Sequence, residues 1–153
     1  MNLGGTFSRA GLGPINRVGG VVNFTGTMNN ANSLLLLDDQ AGTWTVQGGT
    51  IIGGTVRTAA AARIYIPPGG NMTLNGVRLD ADLSLESSQL KIANGLSLSG
   101  RQIFGNGQIT FTGTNAQTLR SGTVGMFDST GNVIQNQSAA VARLGSDLVV
   151  RAE

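Results

Sequence analysis

The chain is predicted to be an all-β parallel β-helix, a solenoid of short stacked coils. Apolar alternation recurs in bursts of only three or four residues, and glycine or asparagine ends nearly every burst after six or seven residues. No apolar pattern at helical spacing persists for ten residues before residue 138. Sandwiches and barrels use strands of ~5–6 residues and turns every ~8–12 residues. A shorter rhythm fits coils closed by two or three short strands each, stacked ~4.8 Å apart in parallel register.

In chain order the predicted strands are 21–24, 43–46, 63–66, 72–74, 77–79, 83–85, 90–92, 96–98 and 109–111. The stretch "WTVQGGTIIGGTV" (44–56) shows the construction. Gly48-Gly49 and Gly53-Gly54 read as corners, where positive φ costs glycine nothing. Val46, Ile51 and Val56 read as the inward side chains. "LNG" at 74–76 returns as "ANG" at 93–95, and each precedes an alternating strand. That recurrence suggests coils of roughly 19 to 25 residues, five or six of them between residues 6 and 125.

The predicted solenoid spans residues 5–125, and residues 126–153 differ in character. "VGMFDSTGNVIQ" (124–135) reads as a β-hairpin about a "DSTGN" turn. Ser138 to Leu144 is helix-like, and "DLVVR" returns to strand. Because the last coil of a solenoid leaves a row of unpaired backbone groups, this tail is expected either to cap the stack or to couple it to a partner. The candidate assembly residues are Val124, Met126, Phe127, Val133, Ile134, Leu148, Val149 and Val150.

Composition removes several function classes. With no cysteine and no histidine, disulfides, thiolate metal sites, Cys nucleophiles and His-based acid–base dyads are excluded. The sequence pI is 9.9, yet net charge is only +2, and nine arginines and one lysine are scattered singly. Nucleic-acid binders cluster such residues, so nucleic acid is not an expected partner. The longest apolar run is the four leucines 34–37, far below the ~18 residues of a membrane span. "MNLGGTFSRA" lacks the cationic and apolar regions of a signal peptide. No nucleotide loop of the G-x-x-x-x-G-K-[ST] or G-x-G-x-x-G type occurs, and no cofactor is expected.

Eight acidic residues leave few carboxylate pairs. Asp38-Asp39 precedes "QAG" and reads as a solvated corner. Asp80, Asp82 and Glu86 lie together in "RLDADLSLES". Asp80 and Asp82 are spaced to share one face of a strand, where they would suit calcium or acid–base work on a polysaccharide. Such a site would want further carboxylates or a cation (Arg78, Lys91) and aromatics to stack on sugars (Tyr65, Trp44). Neither a metal site nor a catalytic residue is assigned on this pattern. Threonine pairs at 25–27, 43–45, 110–112 and 112–114 are too unevenly spaced to form a regular ladder.

"NLGGTF", "NRVGGVVNFTGTMNN", "LNGVRLDADLSL" and "NGLSLSG", with the stretch quoted above, resemble the degenerate repeats of large exported bacterial autotransporter- and haemagglutinin-like surface proteins. The resemblance covers roughly residues 2 to 119. It implies a right-handed parallel β-helix at the cell surface or outside the cell, in structural or adhesive use, and it transfers no functional residues. The expected function is thus a non-enzymatic module that self-associates through its coil ends or its C-terminal strand. Surface glycans are the alternative partner, as ligand of an adhesin or substrate of a polysaccharide-active enzyme.

Overall fold

A computed structural model describes residues 1–16, 20–126, 133–136, 142–145 and 147–152. Among these residues the chain is a parallel β-solenoid of about six turns, and its one helix, Arg9–Leu12, is four residues long. Each coil passes through three faces. The first face stacks Asn2–Leu3, Val22–Phe24, Trp44–Val46 and Ile64–Tyr65 in one sheet, then Leu83–Ser84, Gln102–Phe104, Gly122–Met126 and Leu148–Ala152 in another. The second stacks Thr6–Ser8, Thr27–Asn29, Gly49–Ile52, residues 71–75, residues 89–93, Gln108–Phe111 and Val133–Asn136 without a break. The third stacks Leu34–Leu37, Thr55–Thr58, residues 78–80, residues 96–97, Gln117–Arg120 and Ala142–Leu144.

Alternation works as the pattern demands. On the second face Phe7, Met28, Ile51, Leu74, Ile92 and Phe111 stand in one inward file, each the register partner of the next. From Met28 onward the file is buried, as are Val46 and Val56. Burying a large aliphatic side chain contributes about 1.5–3 kcal/mol, so these files hold the coils together. The length of chain between register partners varies from coil to coil. It is short from Thr73 to Lys91 and much longer from Val124 to Val150, which is why no constant period is visible in the sequence.

Corners account for the glycines and asparagines. Gly53 and Gly54 both have positive φ, and a Cβ on Gly54 would run into the carbonyl oxygen of Asn30 one coil below. Asn30 is itself fully buried, and its Nδ2 donates to the carbonyls of Thr55 (3.0 Å) and Gly53 (3.3 Å). Gly49, by contrast, is no corner. It begins a strand, and a Cβ there would lie 2.5 Å from the Phe24 ring, so glycine makes room for the aromatic. The predicted strands 72–74 and 77–79 join into Asn71–Asp80, with a register shift between Asn75 and Val77 where Gly76 turns at φ 62°. The recurrence of the two "NG" segments appears as a side-chain ladder: Asn94 donates to Asn75 (2.7 Å), and Asn115 donates to Asn94 (2.8 Å).

The tail departs from the hairpin reading. Gly122–Met126 pairs with Gln102–Phe104 and Leu148–Ala152, whereas Val133–Asn136 pairs in parallel with Gln108–Phe111. The two would-be hairpin arms therefore lie on different faces, and the "DSTGN" segment falls outside the described residues. Of the helix-like patch, only residues 142–144 are described, and they form a strand paired with Gln117–Arg120. An open parallel edge offers each incoming apolar segment a full row of hydrogen-bond partners, which outcompetes an isolated two-stranded hairpin.

Candidate functional site

The first face is interrupted between its fourth and fifth strands. Ile64–Tyr65 and Leu83–Ser84 occupy the same place in successive coils but share no backbone ladder. Directly after Tyr65 and Ile66 come Pro67 and Pro68, which have no amide hydrogen to offer a neighbour. Gly70 N–H donates back to the Pro67 carbonyl (2.8 Å), turning the chain sharply at this corner. The coils are stitched together again just beyond, where Gly69 N–H donates to Ser87 (2.8 Å) and Gln89 N–H to Gly70 (3.0 Å).

A cleft of about 640 Å³ opens over this interruption. Buried Ile64 and Ile66, with half-buried Phe104, supply apolar lining, and Arg63, Tyr65, Asp82, Ser84, Glu86 and Arg101 supply the polar part. Asp82 Oδ1 accepts the Gln102 amide (3.0 Å) and is fixed by it, while Ser84 Oγ lies 3.4 Å from the Glu86 carboxylate. The Tyr65 side chain is 43% exposed at the mouth.

Asp80 and Asp82 do not form the paired ledge that their spacing suggested. Asp80 ends a third-face strand, and the chain turns a corner at Ala81 before Asp82. Asp80 is instead clamped by two arginines from neighbouring coils, Arg57 (2.6 Å) and Arg101 (2.9 Å). The hydrogen bond from Arg101, then that from Arg57, holds its carboxyl below the usual range. A general acid needs the opposite shift, so Asp80 is a structural staple. No group of three potential metal-ligating side chains occurs among the described residues. Trp44 is buried against Phe24 (5.8 Å between ring centroids) and cannot stack on a ligand, Arg78 donates to Ser99 (2.8 Å), and Lys91 lies on the second face. Asp38 behaves as a corner residue, its carboxylate accepting the amides of Gln40 and Ala41.

A threonine file does exist, and of its four members only Thr27 belongs to a pair noted in the sequence. Thr6, Thr27, Thr50 and Thr73 are successive register partners on the outward side of the second face, and Lys91 ends the run. The steps from Thr27 to Thr50 and from Thr50 to Thr73 are equal, but the step from Thr6 to Thr27 is shorter and the step to Lys91 shorter again, so a fixed period catches only the middle of the file.

The assembly candidates divide by place. Val124 is buried in the core. Val133, Ile134, Leu148, Val149 and Val150 lie in the final described strands of the second and first faces; Met126 ends a first-face strand one coil earlier. Phe127 lies outside the described residues. No protein-family model matches the chain, and neither a curated protein nor a solved structure matches it. No helix among the described residues is long and apolar enough to cross a membrane.

Proposed function

We propose that this chain is a structural, non-enzymatic β-solenoid module of an extracellular or bacterial cell-surface assembly, and that copies of it associate end to end. The supporting observation is that all three strand columns are open at both ends among the described residues. Asn2–Leu3, Thr6–Ser8 and Leu34–Leu37 each have a paired strand only on the side of the following coil. Val133–Asn136, Ala142–Leu144 and Leu148–Ala152 each have one only on the side of the preceding coil. Both ends therefore present strand edges in the same parallel sense, although at the first end the third-face edge lies one coil further in, the first coil carrying the helix Arg9–Leu12 instead of a third-face strand.

Stacking one copy on the next would repeat the ladder that already joins the coils. Such a head-to-tail contact is heterologous and does not close, so it propagates as a filament. Exposed Met1 (59%), Val21 (54%) and Leu34 (43%) lie in or beside the first two coils and favour a covered end. The surface location rests on the resemblance of the repeats.

Light scattering and negative-stain microscopy across a concentration series test the proposal. The expected result is polymers with an axial repeat set by one solenoid length. Leu34→Lys with Leu36→Lys places two charges on the first edge of the third face and should shift assembly to at least tenfold higher concentration. A particle that stays monomeric at high concentration, or polymers indifferent to the two lysines, would overturn it.

A further inference from the structure

We infer that the interruption of the first face is a saccharide-binding subsite, one that holds a sugar without cleaving it. Its volume, about 640 Å³, lies in the ~300–1,000 Å³ range of ligand pockets. The lining mixes both hydrogen-bonding roles: Arg63 donates, Asp82 and Glu86 accept, and Ser84 can do either. Counted together with the adjoining clamp, Arg57, Arg63 and Arg101 balance Asp80, Asp82 and Glu86 in charge, so the site favours neither a polyanion nor a polycation. Beside these groups stands the half-exposed Tyr65 ring, a flat surface with a polar tip.

Strand spacing excludes the obvious competitor, an extended peptide added to the broken ladder. Inserting a strand needs about 9.6 Å between its two neighbours, twice the ~4.8 Å ladder spacing. The Cα atoms of Ile64–Tyr65 and Leu83–Ser84 approach within 8 Å, so no strand fits between them. What fits is a compact ligand lying over the mouth, with hydroxyls on its rim and one apolar face. A pyranose ring has that form: its C–H face packs on Tyr65, and its hydroxyls donate to Asp82 and Glu86 and accept from Arg63. The inference is confined to binding: one oxygen of Asp82 is occupied by the Gln102 amide and Ser84 Oγ lies against the Glu86 carboxylate, which places both carboxylates as hydrogen-bond acceptors.

The test is an array of neutral, basic and acidic oligosaccharides probed with the whole 153-residue protein, followed by calorimetric titration of the strongest binder. Saturable binding is expected, weakened at least tenfold by Tyr65→Ala and by Glu86→Gln, with Thr50→Ala on the second face unchanged. Glu86→Gln alters an exposed side chain, so it remains informative if Tyr65→Ala fails to fold. Absence of binding to any oligosaccharide at millimolar concentration would overturn the inference. So would binding that both variants retain, or displacement of the sugar by extended peptides. None of these results depends on whether copies of the chain polymerise.

Discussion

The second face and the first face are built from the same short parallel strands, yet one runs unbroken through seven of them and the other splits into four and four. On the second face every register position is filled by a residue that can donate, and glycine gives way where an aromatic must fit, as Gly49 does for Phe24. On the first face the sequence "IYIPPGG" places two prolines at the corner after the fourth strand, and the ladder stops there. Core packing hardly registers the difference, since Ile64, Ile66, Leu83 and Leu85 are all buried. The surface does. Where the ladder closes, the outside is a file of threonines ended by Lys91; where it fails, charged and aromatic side chains gather around a cleft.

Substitutions can break or sharpen this contrast. Gly54→Ala should be the most damaging, because it forces φ of +66° on alanine and drives a methyl group into the Asn30 carbonyl. Its cost is expected to be about 3 kcal/mol or more, seen as a large loss in denaturant midpoint or as failure to fold. Next, Leu74→Ala removes a fully buried side chain between Ile51 and Ile92, and should cost about 3 kcal/mol. Ile64→Ala at the lip of the cleft should cost roughly 1 kcal/mol less, since the interrupted side can relax. Equal losses at the two sites would show the interruption to be energetically irrelevant.

Asp80→Asn should cost about 1 kcal/mol at neutral pH, the scale of exposed ion pairs, whose arginine side chains here are 50% and 43% exposed. The sign with pH is fixed by the direction of the shift. A carboxyl held below its ordinary value stabilises the fold fully above the ordinary aspartate range near ~3.9 and loses that contribution as pH falls through the depressed value. Acid titrations of the two proteins should therefore differ at pH 7 and converge in strong acid. Smallest of all, Thr50→Val keeps the β-branched shape on an outward position and should change stability by no more than about 0.5 kcal/mol.

Much of the solenoid was legible in the residues themselves. Val46, Ile51 and Val56 point inward as their alternation requires, Gly53-Gly54 forms a corner, and the two "NG" segments stack through Asn75 and Asn94. The cleft was legible only in part. Asp82, Glu86 and Tyr65 drew notice by residue type, but Arg63 and Ser84 carry no motif, and nothing local distinguishes them from ordinary outward positions. Asn30, the buried clamp of a corner, is likewise indistinguishable in the sequence from the solvated asparagines near it. The tail misled for a related reason. An apolar pair around a turn-rich segment is a valid local hairpin signal, and only the open edge of the preceding coil supplies a better partner.

By itself, then, the sequence determined the class of the fold and the inward files, because period-two alternation and glycine punctuation act within a few residues. The tertiary structure alone decided which residues became neighbours across coils. Coil length varies along the stack, so the threonine file, the clamp on Asp80 and the interruption at Pro67-Pro68 exist only once the register is set.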